Sequence, residues 1–190
     1  MTTRLTLISP AMTTALREAR FSTDDAGFEA EATACAGPFP AGRAEVYASP
    51  SPRSLRTAGA LGLDAVPLPA LAPCAMGRWQ GSTLDEVAAA EPESVAAWLA
   101  DPAAAPHGGE SLATLHARVG EWLRSLAPEA GRVVVVAEPD IVRSAVVNAL
   151  GVPASAFWRI DVRPLTATEL SGRNGRWNLL SGRPLSSSGG

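Results

Sequence analysis

The sequence predicts an α/β fold, a three-layer α/β/α sandwich on a mostly parallel sheet with an antiparallel C-terminal edge hairpin. Three observations carry this. Short apolar runs at Arg4–Ile8, Glu45–Ala48 and Arg132–Ala137 alternate with helix-like stretches. Each run breaks into a tight turn, at Ser9-Pro10-Ala11, at Ser49-Pro50-Ser51-Pro52 and at Glu138-Pro139-Asp140. Near the C-terminus, Thr166–Leu170 and Arg176–Leu180 flank Arg173-Asn174-Gly175, a hairpin turn signal. The proline-rich stretch at 64–73 falls inside the alternation, so residues 1–185 read as one domain and 186–190 as a polar, disordered tail.

The elements follow in order. Arg4–Ile8 is short, apolar and ended by Ser-Pro, as a buried strand is. Thr13–Arg20 has helical character, with Leu16, Ala19 and Arg20 about one turn apart, and Phe21–Phe28 is polar and turn-like. Glu29–Ala36 is a short alanine-rich helix broken by Pro38, Pro40 and Gly42. Glu45–Ala48 is the second strand, and Arg53–Leu61 is a helix stopped by Gly62. Prolines at 67, 69 and 73 make 64–81 a loop or extended connection, with 64–73 lying over the site. Thr83–Ala100 holds one or two helices, interrupted near Pro92. Ser111–Leu126 is the strongest helix, with Leu112, Leu115, Val119, Trp122, Leu123 and Leu126 on one face. His116 is assigned to the opposite, solvent-facing side of it. Arg132–Ala137 is the most apolar strand, and Asp140–Leu150 is a helix ended by Gly151 and Pro153.

Composition narrows the function. The chain has 190 residues, 46% hydrophobic and 18% charged, which fits one domain with a sizeable core. Its net charge is −3 and every basic residue is arginine, so the basic stripe of a nucleic-acid binder is missing. Alanine richness without lysine suggests a GC-rich bacterial genome. Cys35 and Cys74 stand in no metal-type spacing and read as reduced thiols. No metal or cofactor is implied. No apolar run approaches the ~20 residues of a membrane span, and no signal-peptide pattern opens the chain. The expectation is a cytoplasmic protein with a small-molecule ligand, no nucleic acid and no membrane partner; a homodimer is open.

If the three strands are parallel, their turns emerge on one edge, where α/β sheets bind ligands. Helix N-termini there favour an anion. Arg53 adds a cationic fork suited to phosphate or carboxylate, and Glu138 a carboxylate at the mouth of the most apolar strand. The two histidines, His107 and His116, sit at no strand end.

These residues carry a resemblance. Leu5-Thr6-Leu7-Ile8-Ser9-Pro10-Ala11 is similar to the opening L-x-L-V-R-H-G of the histidine phosphatase, or phosphoglycerate-mutase-like, superfamily. Ser49-Pro50-Ser51-Pro52-Arg53-Ser54-Leu55-Arg56-Thr57-Ala58 keeps every fixed position of the S-P-x-x-R-x-x-x-T-A element. Gly77-Arg78-Trp79-Gln80-Gly81 resembles G-x-W-E-G, and Gly108-Gly109-Glu110-Ser111 is an intact G-G-E-S. Ala137-Glu138-Pro139-Asp140-Ile141-Val142-Arg143 with Leu150-Gly151 resembles the last motif, H-G-G-x-I-R and a helix ending L-G. The ending from Phe157-Trp158-Arg159-Ile160-Asp161-Val162 through the hairpin is also similar, so the resemblance runs from Leu5 to about Leu180.

The resemblance implies phosphoryl transfer through a phosphohistidine, and the departures fall on that chemistry. The nucleophile's position is Pro10, which has no nucleophilic side chain. The phosphate-clamping arginine before it is Ser9, and the second histidine is Glu138, whose charge repels a phosphoryl group. The proton donor's place before G-x-W falls at Pro73. Of the phosphate pocket only Arg53 remains, so the resemblance describes a degenerate member without phosphohistidine chemistry.

The other candidates have two readings each. Glu138 is an acid/base or ligand contact, or a carboxylate paired with Arg53 or Arg143. Trp79 is a pocket wall or packing, whereas Trp122, Trp158 and Trp177 are packing. Arg17 and Arg20 replace lost positive charge or face solvent. His107 reaches the site from its loop or is solvated there, and Asp140 is the N-cap of its helix. Three functions stay open. The first is a repurposed pocket for a small metabolite, anionic or otherwise, with Glu138 as acid/base. The second is a non-catalytic pseudophosphatase that binds a partner protein or senses a metabolite. The third is a residual phosphatase using Ser9, with Glu138 as its base.

Overall fold

The computed structural model describes residues 2–181 apart from 23, 25, 127–130 and 174; the side chains of 31, 32 and 35 also lie outside it. The expected 186–190 tail, Asn174 of the hairpin turn and the Cys35 thiol therefore lie outside the described residues. The strands are β1 (Thr3–Ile8), β2 (Glu45–Ala48), β3 (Val66–Pro67), β4 (Arg132–Val136), β5 (Ala167–Arg173) and β6 (Arg176–Leu180). They form one six-stranded sheet in the order β3-β2-β4-β1-β5-β6. β4 pairs in parallel with β1 and β2, and β2 with β3, while β5 and β6 are antiparallel. This is the predicted mixed sheet with its C-terminal edge hairpin.

The helices are α1 (Thr14–Arg17), α2 (Ala30–Ala36), α3 (Pro52–Ala60), α4 (Leu84–Ala90), α5 (Pro92–Ala100), α6 (Leu112–Ser125) and α7 (Pro139–Leu150). Strand alternation divides the core. Val133 and Val135 of β4, with Leu5 and Leu7 of β1, pack with α6 and α7. Val134 and Val136, with Ile8, pack with Ala58 and Leu61 of the α3 side. Both faces of the sheet are covered, which is why β4 can be an unbroken valine run. A third cluster of Met76, Trp79, Val87 and Val95 joins α4 and α5 to the Gly77–Trp79 turn. Among the described residues no helix is long and apolar enough to cross a membrane.

Three expectations are corrected and one, for 64–81, is made specific. The first helix stops at Arg17 rather than Arg20, because the chain turns at Ala19 (φ 49°) and bridges Arg20 to Thr83. The 64–81 loop contains an edge strand, β3, whose Pro67 is tolerated because it ends the strand at the sheet's border. The hairpin turn is two residues, since Arg173 pairs with Arg176. His116 is 8% exposed and sits edge-on to Phe157, not in solvent. Its position one turn after Leu112 and one before Val119 places it inside the apolar stripe. Burial pushes its imidazole below the usual histidine range, opposed in part by the Ala154 backbone.

Leu115 is fully buried between α6 and the sheet, whereas Leu99 on α5 is half exposed. Leu115→Ala is expected to lower unfolding stability by about 2–5 kcal/mol. Leu99→Ala should stay within about 0.5 kcal/mol. Urea unfolding of both variants against the parent checks the contrast.

Candidate functional site

Parallel pairing brings the strand ends level. Ile8 and Ala48 both register with Val136, so the three turns leave the same edge of the sheet. There Arg53 (5% exposed) and Glu138 (1% exposed) meet in a buried ion pair. Arg53 Nε donates to Glu138 Oε2 at 2.6 Å, and Nη2 donates to the same oxygen. Ser51 Oγ donates to Oε1 at 2.5 Å and Ser54 Oγ at 3.1 Å. Ser51 is also the N-cap of α3, accepting from the Ser54 backbone N–H at 3.2 Å. The carboxylate therefore rests on the N-terminus of α3, where the helix dipole and the guanidinium both favour an anion. Glu138 stands at the N-cap position of α7 but makes no cap bond there, because its side chain is turned to α3. Arg53 Nη1, on the side away from the carboxylate, is buried without a hydrogen-bond partner.

Next to the pair lies a cavity of about 290 Å³. Arg53, Glu138, Asp140, Arg143 and Cys74 form its polar end, and Phe21, Trp98, Phe157 and Trp158 its aromatic wall. The aromatic rings are in mutual contact: Trp98 meets Trp158 at 4.7 Å, Trp158 meets Phe157 at 4.8 Å and Phe21 meets Trp98 at 5.9 Å, all edge-on. A wider, open depression of about 650 Å³ lies along the 69–75 loop. Its charged groups, Glu110 and Arg118, are paired with each other, so the smaller cavity is the better site.

The structure places the other candidates unevenly. Arg20 lines the cavity, although its guanidinium is held by Glu18 and by the Gly81 carbonyl at 2.7 Å. Arg17 is exposed, pairs with Glu29 and lies outside the lining. Ser9 is buried but faces the loop before β5: its hydroxyl donates to the Arg163 carbonyl and accepts from the Thr166 N–H at 3.2 Å. Trp79 and His107, each 1% exposed, are neither wall nor solvated loop. They pack against each other at 5.0 Å outside the cavity lining, and burial lowers the His107 imidazole below its usual range. Trp158, read as packing, lines the cavity, and so does Trp98, which carried no signal because its wall forms only when α5 meets the Phe157–Trp158 turn. Arg143 pairs with neither candidate carboxylate in a direct salt bridge; its Nε donates to the Ile160 carbonyl at 2.8 Å and it lies over the Phe157 ring.

Asp140 is also placed differently from the expected N-cap. Pro139 opens α7, and the Asp140 carboxylate accepts the Cys74 N–H at 2.7 Å and the Ile141 N–H at 2.8 Å. Burial, with Glu138 close by, lifts its carboxyl from the ordinary 3.8 to about 6, against the two N–H donors. Burial likewise pushes the Cys74 thiol up to about 12, so it stays protonated and is no nucleophile at neutral pH. Among the described residues, no cluster of His, Cys, Asp and Glu is placed to hold a metal.

The glycine motifs have a structural task. Gly77 (φ 50°) and Gly109 lie so close to the facing loop that a Cβ would fall 2.1 Å from the His107 carbonyl oxygen and 1.9 Å from that of Ala75. Arg78 N–H donates to the His107 carbonyl and Glu110 N–H to that of Ala75. Arg118 then ties Glu110 to the carbonyls of Ala70 and Ala72. This lock holds the loop that presents Pro73 and Cys74 to the cavity.

Removing one partner of the buried pair should be far worse than removing both. Arg53→Met leaves Glu138 buried and is expected to cost about 3–5 kcal/mol, whereas Arg53→Met with Glu138→Leu should recover most of that loss. Denaturant unfolding of the single and double variants checks this. For Asp140 the native group holds its proton to a higher pH than the unfolded one, so its contribution is full below about 4 and is lost as pH rises through about 6. The loss is on the order of 3 kcal/mol. Asp140→Asn should flatten the fall in stability between pH 4 and pH 7, measured as unfolding free energy at both pH values.

The comparisons agree with this fold. The pattern of the histidine phosphatase superfamily (branch 1) matches residues 29–183. No curated protein matches the chain. Mycobacterial glucosyl-3-phosphoglycerate phosphatase in its native form is similar, with a TM-score of 0.74 and 25% identity over 94% of this chain and 97% of that one. Its complex with VO3 gives 0.70 and 26% over 93% and 96%. A putative alpha-ribazole-5'-P phosphatase from Escherichia coli gives 0.79 and 21% over 94% of each chain, a likeness of fold alone. By fold and by sequence pattern, then, this chain belongs to the histidine phosphatase superfamily, branch 1.

Proposed function

We propose that this chain is a member without phosphohistidine chemistry, whose strand-end cavity binds a small metabolite. One observation carries the reading: the Glu138 carboxylate takes both serine hydroxyls and the Arg53 fork at the N-terminus of α3. An internal carboxylate thus uses the donors that would cradle an oxyanion, and its charge repels a second one. Pro10 offers no nucleophile in the first turn. The bound small molecule sits instead against the aromatic wall, beside Arg53 Nη1 and Asp140.

The same geometry bears on the alternatives. Glu138 accepts four hydrogen bonds on two oxygens, which leaves it no free position from which to take a substrate proton. Acid/base chemistry, if the cavity runs any, falls more naturally to Asp140. The serine-phosphatase reading needs Ser9 to meet a base, and the Ser9 hydroxyl is bound to the 163–166 loop instead. For a partner-binding module, the exposed large apolar side chains are spread over α3, β3, α5, β6 and the end of α7, which favours no one surface. The phosphatase activity of the structural relatives is the reading to be excluded by experiment.

An aryl phosphate provides the test. Incubation with p-nitrophenyl phosphate should release no phosphate above a no-protein control, and vanadate should give no heat of binding. Turnover that disappears in Ser9→Ala, or tight vanadate binding by the parent protein, would refute the proposal.

A further inference from the structure

The polar end of the cavity is balanced in charge. Arg53 is matched by Glu138 and Arg20 by Glu18, and Arg143 stands one turn from Asp140 on α7. A phosphate or carboxylate ligand would face two carboxylates, and an ammonium would face three guanidinium groups. What the end offers is directional hydrogen bonding. Arg53 Nη1 is a donor buried without a partner, in a side chain only 6% exposed. An unmet buried donor is costly, so an acceptor placed there gains more than it would in water. Each Asp140 oxygen takes one backbone N–H and retains acceptor capacity toward the cavity it lines.

The rest of the lining sets the body of the ligand. Trp98 and Trp158 stand edge-on to each other and Phe157 continues the wall, while Leu16 and Leu84 add aliphatic surface. Ring faces and edges favour a flat aromatic group. At about 290 Å³ the space lies at the small end of ligand pockets, which run from ~300 Å³ upward.

Resting on the metabolite-binding reading above, we propose that the cavity takes an uncharged aromatic molecule whose head group both accepts and donates hydrogen bonds, of the aryl amide class. The amide carbonyl accepts from Arg53 Nη1, its N–H donates to Asp140, and the ring packs against Trp98 and Trp158.

The test is titration with benzamide, nicotinamide and indole-3-carboxamide, with benzoate and phenyl phosphate as charged counterparts. Tryptophan emission and calorimetry are both read. At least one amide should bind saturably with a Kd near or below about 1 mM. The matched anions should bind at least about tenfold more weakly. Asp140→Asn and Trp98→Ala should each weaken the amide about tenfold or more, and Trp98→Phe should restore it to within about threefold, with unfolding midpoints taken to confirm that each variant is folded. Failure of all three amides to bind, or binding unchanged in both folded Asp140→Asn and Trp98→Ala, overturns the amide assignment and leaves the broader reading standing. Preferential binding and hydrolysis of phenyl phosphate overturns both.

Discussion

The buried contact between Arg53 and Glu138 is the constraint around which the strand-end site is arranged. Two opposite charges almost removed from water are tolerable only when matched and hydrogen-bonded. Here the match is close: a fork from Arg53 on one oxygen, two serine hydroxyls on the other, and the N-terminus of α3 beneath. The pair joins the end of β4 to the start of α3, elements 85 residues apart in sequence. Its geometry also gives the donors at the start of α3 to the chain's own carboxylate.

That internal pairing limits what the neighbouring groups can do. With Arg53 facing Glu138 through Nε and Nη2, only Nη1 is left for anything else. Asp140, two residues beyond Glu138, is held as a raised carboxyl by burial and by the nearby negative charge. The Cys74 thiol is kept neutral by the same burial and by the Asp140 and Glu110 carboxylates. The polar end of the cavity is therefore a set of hydrogen-bonding groups with little net field, and the aromatic wall provides most of its contact surface.

The Gly77–Gly81 and Gly108–Ser111 motifs have a structural explanation. Their glycines permit two loops to touch backbone to backbone, and the Glu110–Arg118 pair fixes the loop that borders the cavity. Any side chain at Gly77 or Gly109 would force those loops apart. Trp79 and His107 fill the space behind the contact, which accounts for their near-complete burial. The motif residues act on the site by shaping its border, with Gln80 alone of the first motif reaching the cavity lining.

The sequence by itself determined three parallel strands, the C-terminal hairpin, most of the helices and the placing of Arg53 and Glu138 on one sheet edge, and it left open whether Glu138 pairs with Arg53 or Arg143. The alternation of apolar runs with periodic stretches has few solutions, and parallel strands of similar length must end on one edge. It did not determine the roles of Ser9, Trp79, Trp98, His107, His116 and Asp140, because burial and hydrogen-bond partners are properties of neighbours distant in the chain. The Ser9 hydroxyl turned to the 163–166 loop, which the pairing of β1 with β5 brings against it, and Asp140 reached the Cys74 amide across 66 residues as well as the Ile141 N–H of its own helix. His116 was legible in principle from its place between Leu112 and Val119, yet only the packing of α6 against the Phe157 turn decided that a polar ring would be enclosed there. Tertiary structure alone set the cavity's lining, since its walls come from segments brought together only when the α4–α5 cap closes over the strand ends.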